Sequence, residues 1–430
     1  MPDIAGCQAA GTAGAEAVPR RGAGGAGARG ARARLAAAVA LLGATAAFAA
    51  GLAGAPQAAA AGALIVVATD GSDAGAGTVD DPLATVQEAV DRAGPGDTIA
   101  VRGGTYALTD NITITTSGEP GNPITLGPYG DEHVVIDGEQ LPASHTPVGG
   151  SIPSQERGAI HQEASHWRIE GLEIIRGPYG VYCDDCDDNA FSGLTTRDNY
   201  ETGFQLQGDS GGNLISGLDS YGNHDPRKNG ESADGLGVKE GSGEGNRVVG
   251  ARLWNNADDG FDAWEFLSAI TVEDSVAFGN GVNRWDFPDF TGDGNGFKMG
   301  GGGEDLPADH VLRNVLAFGN AVDGVTDNGN PGTLAVSRCT TYRNGGTGFD
   351  VDASASELTA NLSVLDAEAP VSLGGSHSVG NSWDLGGDWD EDSVLSTDPA
   401  TLTGPRAADG SIPSSDFLVP RDGSAIGARF

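Results

Sequence analysis

Short apolar segments recur with regular spacing along the second half of the chain. From Trp167 onward, a short segment that starts with an apolar residue, in most cases followed by x-[Gly/Asp/Asn]-x, appears seven times. These apolar positions are Ile169, Phe191, Ile215, Val248, Val272, Leu312 and Val336, with steps of 22, 24, 33, 24, 40 and 24 residues. A period near 24 residues that contains several short strands is typical of a solenoid.

A second column, of the form x-Gly-Φ-x where Φ is apolar, alternates with the first. Its glycines are Gly180, Gly203, Gly235, Gly260, Gly296, Gly324 and Gly348. Four of them follow an asparagine by four residues, at Asn199, Asn256, Asn320 and Asn344. Glycine permits the tight corner conformation that residues with a side chain resist. Asparagines that recur once per turn can stack on one another at one corner of a solenoid. The framework of leucine-rich repeats is missing and no helix alternates with the strands. We therefore predict an all-β fold, a single-stranded right-handed parallel β-helix with Φ facing inward.

The region ahead of the repeats contains one amphipathic helix pattern. We predict that Asp81 caps this helix, that Pro82 occupies its first position and that Gly94-Pro95 ends it. Such a helix can plug the open end of a sheet stack. We predict one β-helix domain over residues 63–430, with an N-terminal cap and first rungs over 63–140 and a C-terminal tail that packs on the helix over 380–430.

The start of the chain has the pattern of an export signal. Arg29, Arg32 and Arg34 precede an apolar run over residues 35–52, and small residues follow Gln57. This pattern predicts a signal peptide and a disordered start over residues 1–62, and hence a secreted, extracellular protein. The alternative is a membrane anchor. The apolar run is rich in alanine and interrupted by glycine, which disfavours a permanent membrane span.

Charge and cysteine content narrow the possible partners. The chain carries 60 acidic and 24 basic residues, a net charge of −36, which repels nucleic acid and anionic lipid. Solubility of a secreted protein is an alternative reason for this acidity. Cys183 and Cys186 could close a small disulfide, and a zinc site would need a second pair that is absent. Cys339 occupies an apolar column position, which predicts a core residue. We expect a monomer.

Two steps between repeats are longer than the rest. Their extra residues fall in 224–232 and roughly 281–294. Insertions in a solenoid become loops on one face, which is often the binding face. The candidate chemistry should therefore lie beside these two segments.

Alignment of the second column brings acidic residues together on that face. Asp234, Asp259 and Asn295 precede the glycines of three successive rungs, and Asp262 follows Φ in the second of them. Clustered carboxylates repel one another unless a cation lies between them, and all-oxygen ligands on flexible loops favour Ca²⁺. A solvated acidic corner is the alternative. The pattern predicts a calcium site whose ligands are Asp234, Asp258, Asp259 and Asp262.

Lys298 is the residue that should lie one rung from Asp262. Because Phe297 should face the core, Lys298 should point outward. A neutral amine at this place is a competent general base, whereas the alternative is a salt bridge to Asp262. Four further cations near the insertions are candidates to bind substrate: Lys239, Arg284, Arg227 and Lys228.

At these motifs the chain resembles the pectate lyases of polysaccharide lyase family 9. The matching elements are ADG at 233–235, N-x-DDG-x-D at 256–262 and DGNGFK at 293–298. The resemblance extends from about Leu64 to Phe430. It implies that the four aspartates bind a catalytic calcium ion and that Lys298 is the base. One departure is DGLGVK at 234–239, where the family usually has an aromatic residue after DG.

The implied reaction is β-elimination on an acidic, 4-linked polysaccharide such as polygalacturonate. One alternative is a β-helix glycoside hydrolase of the polygalacturonase type, which needs a carboxylate pair spaced for water attack. Its Gly-His-Gly and Arg-Ile-Lys motifs are absent. Another alternative is a non-catalytic, carbohydrate-binding β-helix protein. Only a lyase creates a conjugated double bond. The exact polymer, its methylation and endo or exo action stay open.

Overall fold

The computed structural model describes residues 62–302 and 306–430. Nearly all of the predicted leader over 1–62 lies outside the described residues. Within these ranges the strands form three parallel sheets, and each turn of the chain visits sheets I, II and III in that order. The predicted parallel β-helix is confirmed.

The strands are short and their bounds are as follows. Sheet I contains β1 Leu64–Val67, β2 Thr98–Val101, β5 Ile124–Pro128, β8 Trp167–Glu170, β11 Ala190–Ser192, β14 Leu214–Ser216, β17 Arg247–Val249, β20 Thr271–Glu273, β23 Val311–Arg313, β26 Ala335–Ser337, β29 Glu357–Thr359 and β32 His377–Val379. Sheet II contains β3 Gly104–Ala107, β6 Val134–Asp137, β9 Glu173–Ile175, β12 Thr195–Arg197, β15 Asp219–Tyr221, β18 Arg252–Trp254, β21 Val276–Phe278, β24 Leu316–Phe318, β27 Thr340–Tyr342 and β30 Leu362–Val364. Sheet III contains β4 Ile112–Ile114, β7 Ile160–Gln162, β10 Val181–Asp184, β13 Phe204–Asp209, β16 Leu236–Ser242, β19 Phe261–Asp262, β22 Phe297–Lys298, β25 Val325–Thr326, β28 Phe349–Asp350 and β31 Val371–Ser372. The α-helices are α1 Val86–Arg92, α2 Ser382–Leu385 and α3 Ala400–Thr403, and single 3₁₀ turns span Pro142–His145, Ser154–Glu156 and Glu391–Ser393.

The register of sheet III is the predicted one. Leu236 pairs with Phe261, and Phe261 pairs with Phe297, so the Φ residues form an unbroken column. All three side chains are fully buried in the continuous core inside the helix. Burying a side chain of this size contributes about 1.5–3 kcal/mol, which fixes the face on which the neighbouring polar residues lie.

An asparagine ladder lines the corner between sheets II and III. Its members are Asn199, Asn223, Asn256, Asn280, Asn320 and Asn344, and each side-chain amide donates to the Oδ1 of the next. The sequence predicted only four of these six. The other two, Asn223 and Asn280, each stand directly before an insertion, so they are separated from the glycine that marked the pattern.

The N-terminal helix is shorter than predicted. Thr85 is its N-cap, with Oγ1 accepting the Glu88 amide at 3.2 Å, so the predicted start at Asp81 is wrong. Leu83, which a helix starting at Pro82 would include, instead forms a bridge with Val67 of β1. The helix buries Val86, Ala89 and Val90 against the first rung.

The last part of the chain packs on the outer face of sheet II. Leu402, Phe417 and Leu418 form a second apolar cluster with residues such as Leu316 and Leu362 of that sheet. Arg252 of β18 fastens this tail by donating to the Leu402 and Gly404 carbonyl oxygens. No helix in the part of the chain that the structure describes is long and apolar enough to cross a bilayer.

The cysteines of the described ranges are all buried. Cys183 and Cys186 are joined by a disulfide at the end of β10, a pairing that the sequence left open. Both belong to the main core. Cys339 is a free thiol that is fully buried, which confirms its predicted place in the core.

Candidate metal and catalytic centre

The predicted carboxylates meet where β16, β19 and β22 begin. The Asp259 amide donates to Asp234 Oδ1 at 3.2 Å, and the Asn295 amide donates to Asp259 Oδ1 at 2.7 Å. These three residues therefore stack on successive rungs, as the column alignment predicted. Asp262 and Lys298 are direct partners in the ladder of sheet III.

The four aspartates are buried to an unusual degree for acidic side chains. Asp234, Asp258, Asp259 and Asp262 are between 0% and 4% exposed. Burial raises the pKa of Asp234 to about 7, against the opposing pull of Lys239. Burial and the charge of Asp259 raise the pKa of Asp258 well above its usual range. The cluster as it stands is electrostatically costly, because its charges are close together and removed from water.

The donor atoms of this cluster fit a hard divalent cation. One carboxylate oxygen each from Asp234, Asp259 and Asp262 lies within 4.8 Å of the others. The Oδ2 atom of Asp259 is buried and has no hydrogen-bond partner. Three buried carboxylate oxygens this close together favour a cation between them, and oxygen donors of this kind and charge suit Ca²⁺.

Lys298 lies at the edge of the cluster. Its Nζ donates to Asp293 Oδ2 at 2.8 Å and lies 3.1 Å from Asp259 Oδ2. Burial opposes the proton on Lys298, but the charges of Asp259 and Asp262 outweigh it and raise its pKa. Asp293 also donates its amide to Asp258 Oδ1. Asp293 was not among the predicted site residues, although it opens the DGNGFK motif.

Lys239 lies inside the cluster and not in a loop above the groove. Its Nζ is 2.6 Å from Asp234 Oδ2 and 2.6 Å from Asp262 Oδ2. Burial again opposes the proton, and Asp234 is the largest influence that holds it, so the pKa of Lys239 is raised. In this structure Lys239 is a counter-ion of the aspartates, and it also lines the cleft above them, so its role in substrate binding stays a prediction.

The other three basic residues that were predicted to bind substrate have different surroundings. Arg227 pairs with Glu201 and lies 3.4 Å from Asp225, both buried carboxylates, so its charge braces the first insertion. Lys228 faces the cleft, and its Nζ donates to Ser232 Oγ at 2.9 Å. Arg284 is exposed on the second insertion and does not line the cleft.

A cleft of about 520 Å³ opens over the centre. The first insertion supplies Lys228 and Ser232 to its wall, and the second supplies Thr291 and Asp293. Thr291 is tied to the first insertion, because its amide donates to the Asn229 carbonyl at 3.0 Å. The cleft also reaches Arg157, which lies on an earlier rung and was not predicted.

Known proteins are similar to this chain in both fold and sequence. A pectate lyase of Emericella nidulans, named PEL9, is 51% identical over 384 residues, which cover 85% of this chain and 94% of that protein. The crystal structure of pectate lyase Pel9A matches with a TM-score of 0.75 at 30% identity and covers 86% of this chain and 92% of that one. A rhamnogalacturonan lyase structure matches with a TM-score of 0.74 at 25% identity, covering 84% of this chain and 97% of that one.

The fold, the site and these matches define a polysaccharide lyase built on a parallel β-helix. The family description "Pel9A-like, right handed beta helix region" matches residues 65–361. The chain belongs to this Pel9A-like family, and the resemblance seen in the motifs is confirmed.

Proposed function

We propose that this protein is a secreted, calcium-dependent lyase that cleaves 4-linked polyuronides, above all polygalacturonate, by β-elimination. The observation that carries the proposal is the ladder pairing of Lys298 with Asp262 beside three further buried carboxylates. The relatives named as pectate lyases support the choice of substrate. The signal-peptide pattern over residues 1–62 supports secretion.

The residues that would hold calcium are Asp234, Asp258, Asp259 and Asp262. When bound, the ion supplies positive charge that holds the uronate carboxylate and stabilises the negative charge that develops on it. Its positive charge also reduces the electrostatic repulsion between a protein of net charge −36 and an acidic polymer.

The chain's own contribution to the chemistry is a positioned base. In the proposed reaction, Lys298 Nζ takes the proton from C5 of the uronate unit. The C5–H electron pair forms the C4–C5 double bond, and the C4–O bond breaks with its electrons leaving on oxygen. The leaving oxygen takes a proton from solvent water and Lys298 returns its proton to solvent, so the products are an unsaturated uronate end and a new hydroxyl end. The 2.8 Å bond to Asp293 holds the amine in place.

The base must be neutral when it acts. The carboxylates around Lys298 hold a proton on it, because their negative charge stabilises the ammonium form. The amine becomes available when that negative charge is compensated by another cation. We therefore expect the proton affinity of Lys298 to be linked to the cation content of the aspartate cluster.

Product absorbance tests the proposal directly. The full-length protein is incubated with polygalacturonate, rhamnogalacturonan and alginate, each with calcium and with chelator. We expect ultraviolet absorbance to rise fastest on polygalacturonate with calcium. A fastest rise on rhamnogalacturonan would favour the second candidate substrate, to which the structure match at 25% identity points. New reducing ends without absorbance would indicate a hydrolase, and neither signal on any polymer would contradict a lyase.

A further inference from the structure

Arg157 lies in the same cleft as the metal centre but far along it. It precedes β7 by three residues, and its rung is followed by those of β10, β13 and β16 in the ladder of sheet III. Asp234 belongs to the β16 rung, three rungs from Arg157. At the usual spacing of neighbouring strands, the two positions are about 14 Å apart along the helix axis.

The Arg157 side chain is fixed by aromatic neighbours. Its Nη1 donates to the Tyr182 hydroxyl at 3.0 Å, and its guanidinium carbon lies 5.4 Å from the centre of the Tyr182 ring. Tyr182 is itself fully buried, stacks on His161 and donates to Gln207 Oε1 at 2.9 Å. The guanidinium is therefore pre-organised at the cleft wall.

Arg157 forms no ion pair in the part of the chain that the structure describes. Burial opposes its proton, but the charge of Glu201, which pairs with Arg227, stabilises the protonated form and helps to raise the pKa of Arg157. Across residues 62–302 and 306–430, no aspartate or glutamate oxygen lies within 4.0 Å of Arg157, whereas Arg227 has two acidic partners. Its Nε is buried and has no hydrogen-bond partner. Free donors on a planar guanidinium match the two oxygens of a carboxylate. In a strongly acidic chain, such an arginine facing a cleft requires an explanation.

We propose that Arg157 is a substrate-specificity residue that binds the ionised carboxylate of a second uronate unit, distant along the polymer from the unit held at the metal centre. This inference rests on the proposed function. It means that the enzyme recognises at least two carboxylates on one polysaccharide chain. Recognition then requires a substrate long enough to span both places. It also requires a free acid at the Arg157 position, since a methyl ester has no charge to offer.

The experiment uses homogeneous oligogalacturonates of increasing length and the full-length variants Arg157→Gln and Arg157→Lys. For Arg157→Gln we expect kcat/KM on the long oligomers to fall about tenfold to a hundredfold, the range of a lost charged hydrogen bond. The shortest oligomer that the wild type cleaves should be affected less than threefold. Arg157→Lys should keep part of the preference for length, because it keeps the charge but loses the fork. Arg247→Gln is the matched control, since Arg247 forms an exposed ion pair with Glu273 on sheet I.

The outcomes separate this inference from the proposed function. Calorimetric binding of a long oligogalacturonate, with calcium, to wild type and both variants is measured alongside the rates. If the wild type shows no elimination, the proposed function fails, and the binding data still judge Arg157. An equal loss on every length in both variants would reveal a structural role and overturn the inference. So would an unchanged length dependence in Arg157→Gln. If Arg157→Gln does not fold, as judged by circular dichroism, the length dependence of Arg157→Lys decides in the same way.

Discussion

Lys239 and Asp234 form an ion pair of 2.6 Å inside the aspartate cluster, where both side chains are almost completely buried. The same ammonium is equally close to Asp262. A lysine thus provides positive charge at the place where the donor atoms fit a divalent cation. Because a protein cation and a metal ion would draw on the same oxygens, we expect the two to compete.

We expect Lys239→Met to bind calcium about tenfold more tightly, because the competing cation is removed; a tenfold change corresponds to about 1.4 kcal/mol. Without calcium, the variant should be less stable than the wild type, since buried carboxylates lose their partner. Calcium titration by calorimetry measures the first effect and thermal unfolding in chelator the second. Lys228→Met is the control, because Lys228 bonds to Ser232 instead of a carboxylate. An unchanged calcium affinity in Lys239→Met would refute the competition.

Lys298→Ala should lower the rate of elimination by about 10²- to 10⁴-fold, the usual contribution of a general base. Lys298→Arg should also retain little activity, because a guanidinium does not release its proton. Since the surrounding carboxylates raise the pKa of Lys298, the wild-type rate should rise toward alkaline pH, where the neutral amine becomes populated. Initial rates across pH measure all three effects.

The control for Lys298 is calcium binding by the same variants, which should change little. If Lys298→Ala or Lys298→Arg kept a substantial fraction of the wild-type rate on the best substrate, Lys298 would not be the base. The search would then turn to other basic groups of the cleft.

Chelation should abolish activity, and added calcium should restore it, because the aspartates otherwise lack a compensating divalent charge. Asp259→Ala should have the same effect without loss of the fold, since Asp259 supplies a carboxylate to the cluster and lies outside the apolar core. Asp131→Ala, at an exposed position, is the matched control. Full activity in excess chelator, from protein shown by elemental analysis to retain no metal, would rule out the calcium assignment.

His310 should make the fold sensitive to acid. It is fully buried, its Nδ1 accepts the Ile270 amide, and burial lowers its pKa to about 4. The unfolded chain binds a proton near pH 6.5, so the stability present above that pH is lost as pH falls toward 4, by about 3 kcal/mol. Urea unfolding of wild type and His310→Gln at several pH values isolates this contribution. Parallel pH dependence in the two proteins would contradict it.

Cys183 and Cys186 should be dispensable for chemistry. They face the core two strands before β16 and contact none of the aspartates of the centre. A double serine variant should be less stable, because two hydroxyls replace buried sulfurs, while its turnover at saturating substrate and calcium stays near that of wild type. Rates measured well below the unfolding temperature test this. Loss of most turnover in a folded double variant would give the pair an unexpected catalytic importance.

The sequence predicted the fold and the acidic column because both follow from one repeated pattern. The Φ residues must face inward, so their register also fixed the positions of Asp262 and Lys298 in neighbouring strands. The helix start was mistaken because Asp81 and Pro82 form a good local cap signal, while the bridge between Leu83 and Val67 is a long-range contact.

The contacts that the sequence did not predict depend on where individual side chains point, which the repeat pattern does not specify. Lys239 lies on β16 like many outward-facing residues, and only the three-dimensional positions of Asp234 and Asp262 show that it reaches both. Arg157 precedes the clear repeats, and its proposed role rests on its place in the cleft and on the lack of an ion pair among the described residues. Sequence periodicity carries no information about such an absence.

Both insertions begin after a ladder asparagine and end before the glycine of the next strand. The first lies between Asn223 and Gly235, and the second lies between Asn280 and Gly296. Because the corner hydrogen bonds and the core pairing lie outside these segments, loop length is uncoupled from rung geometry. Loops of different length and sequence could therefore replace these two segments during evolution without a change in the β-helix. The range of polymers that such proteins accept could then vary while the fold is kept.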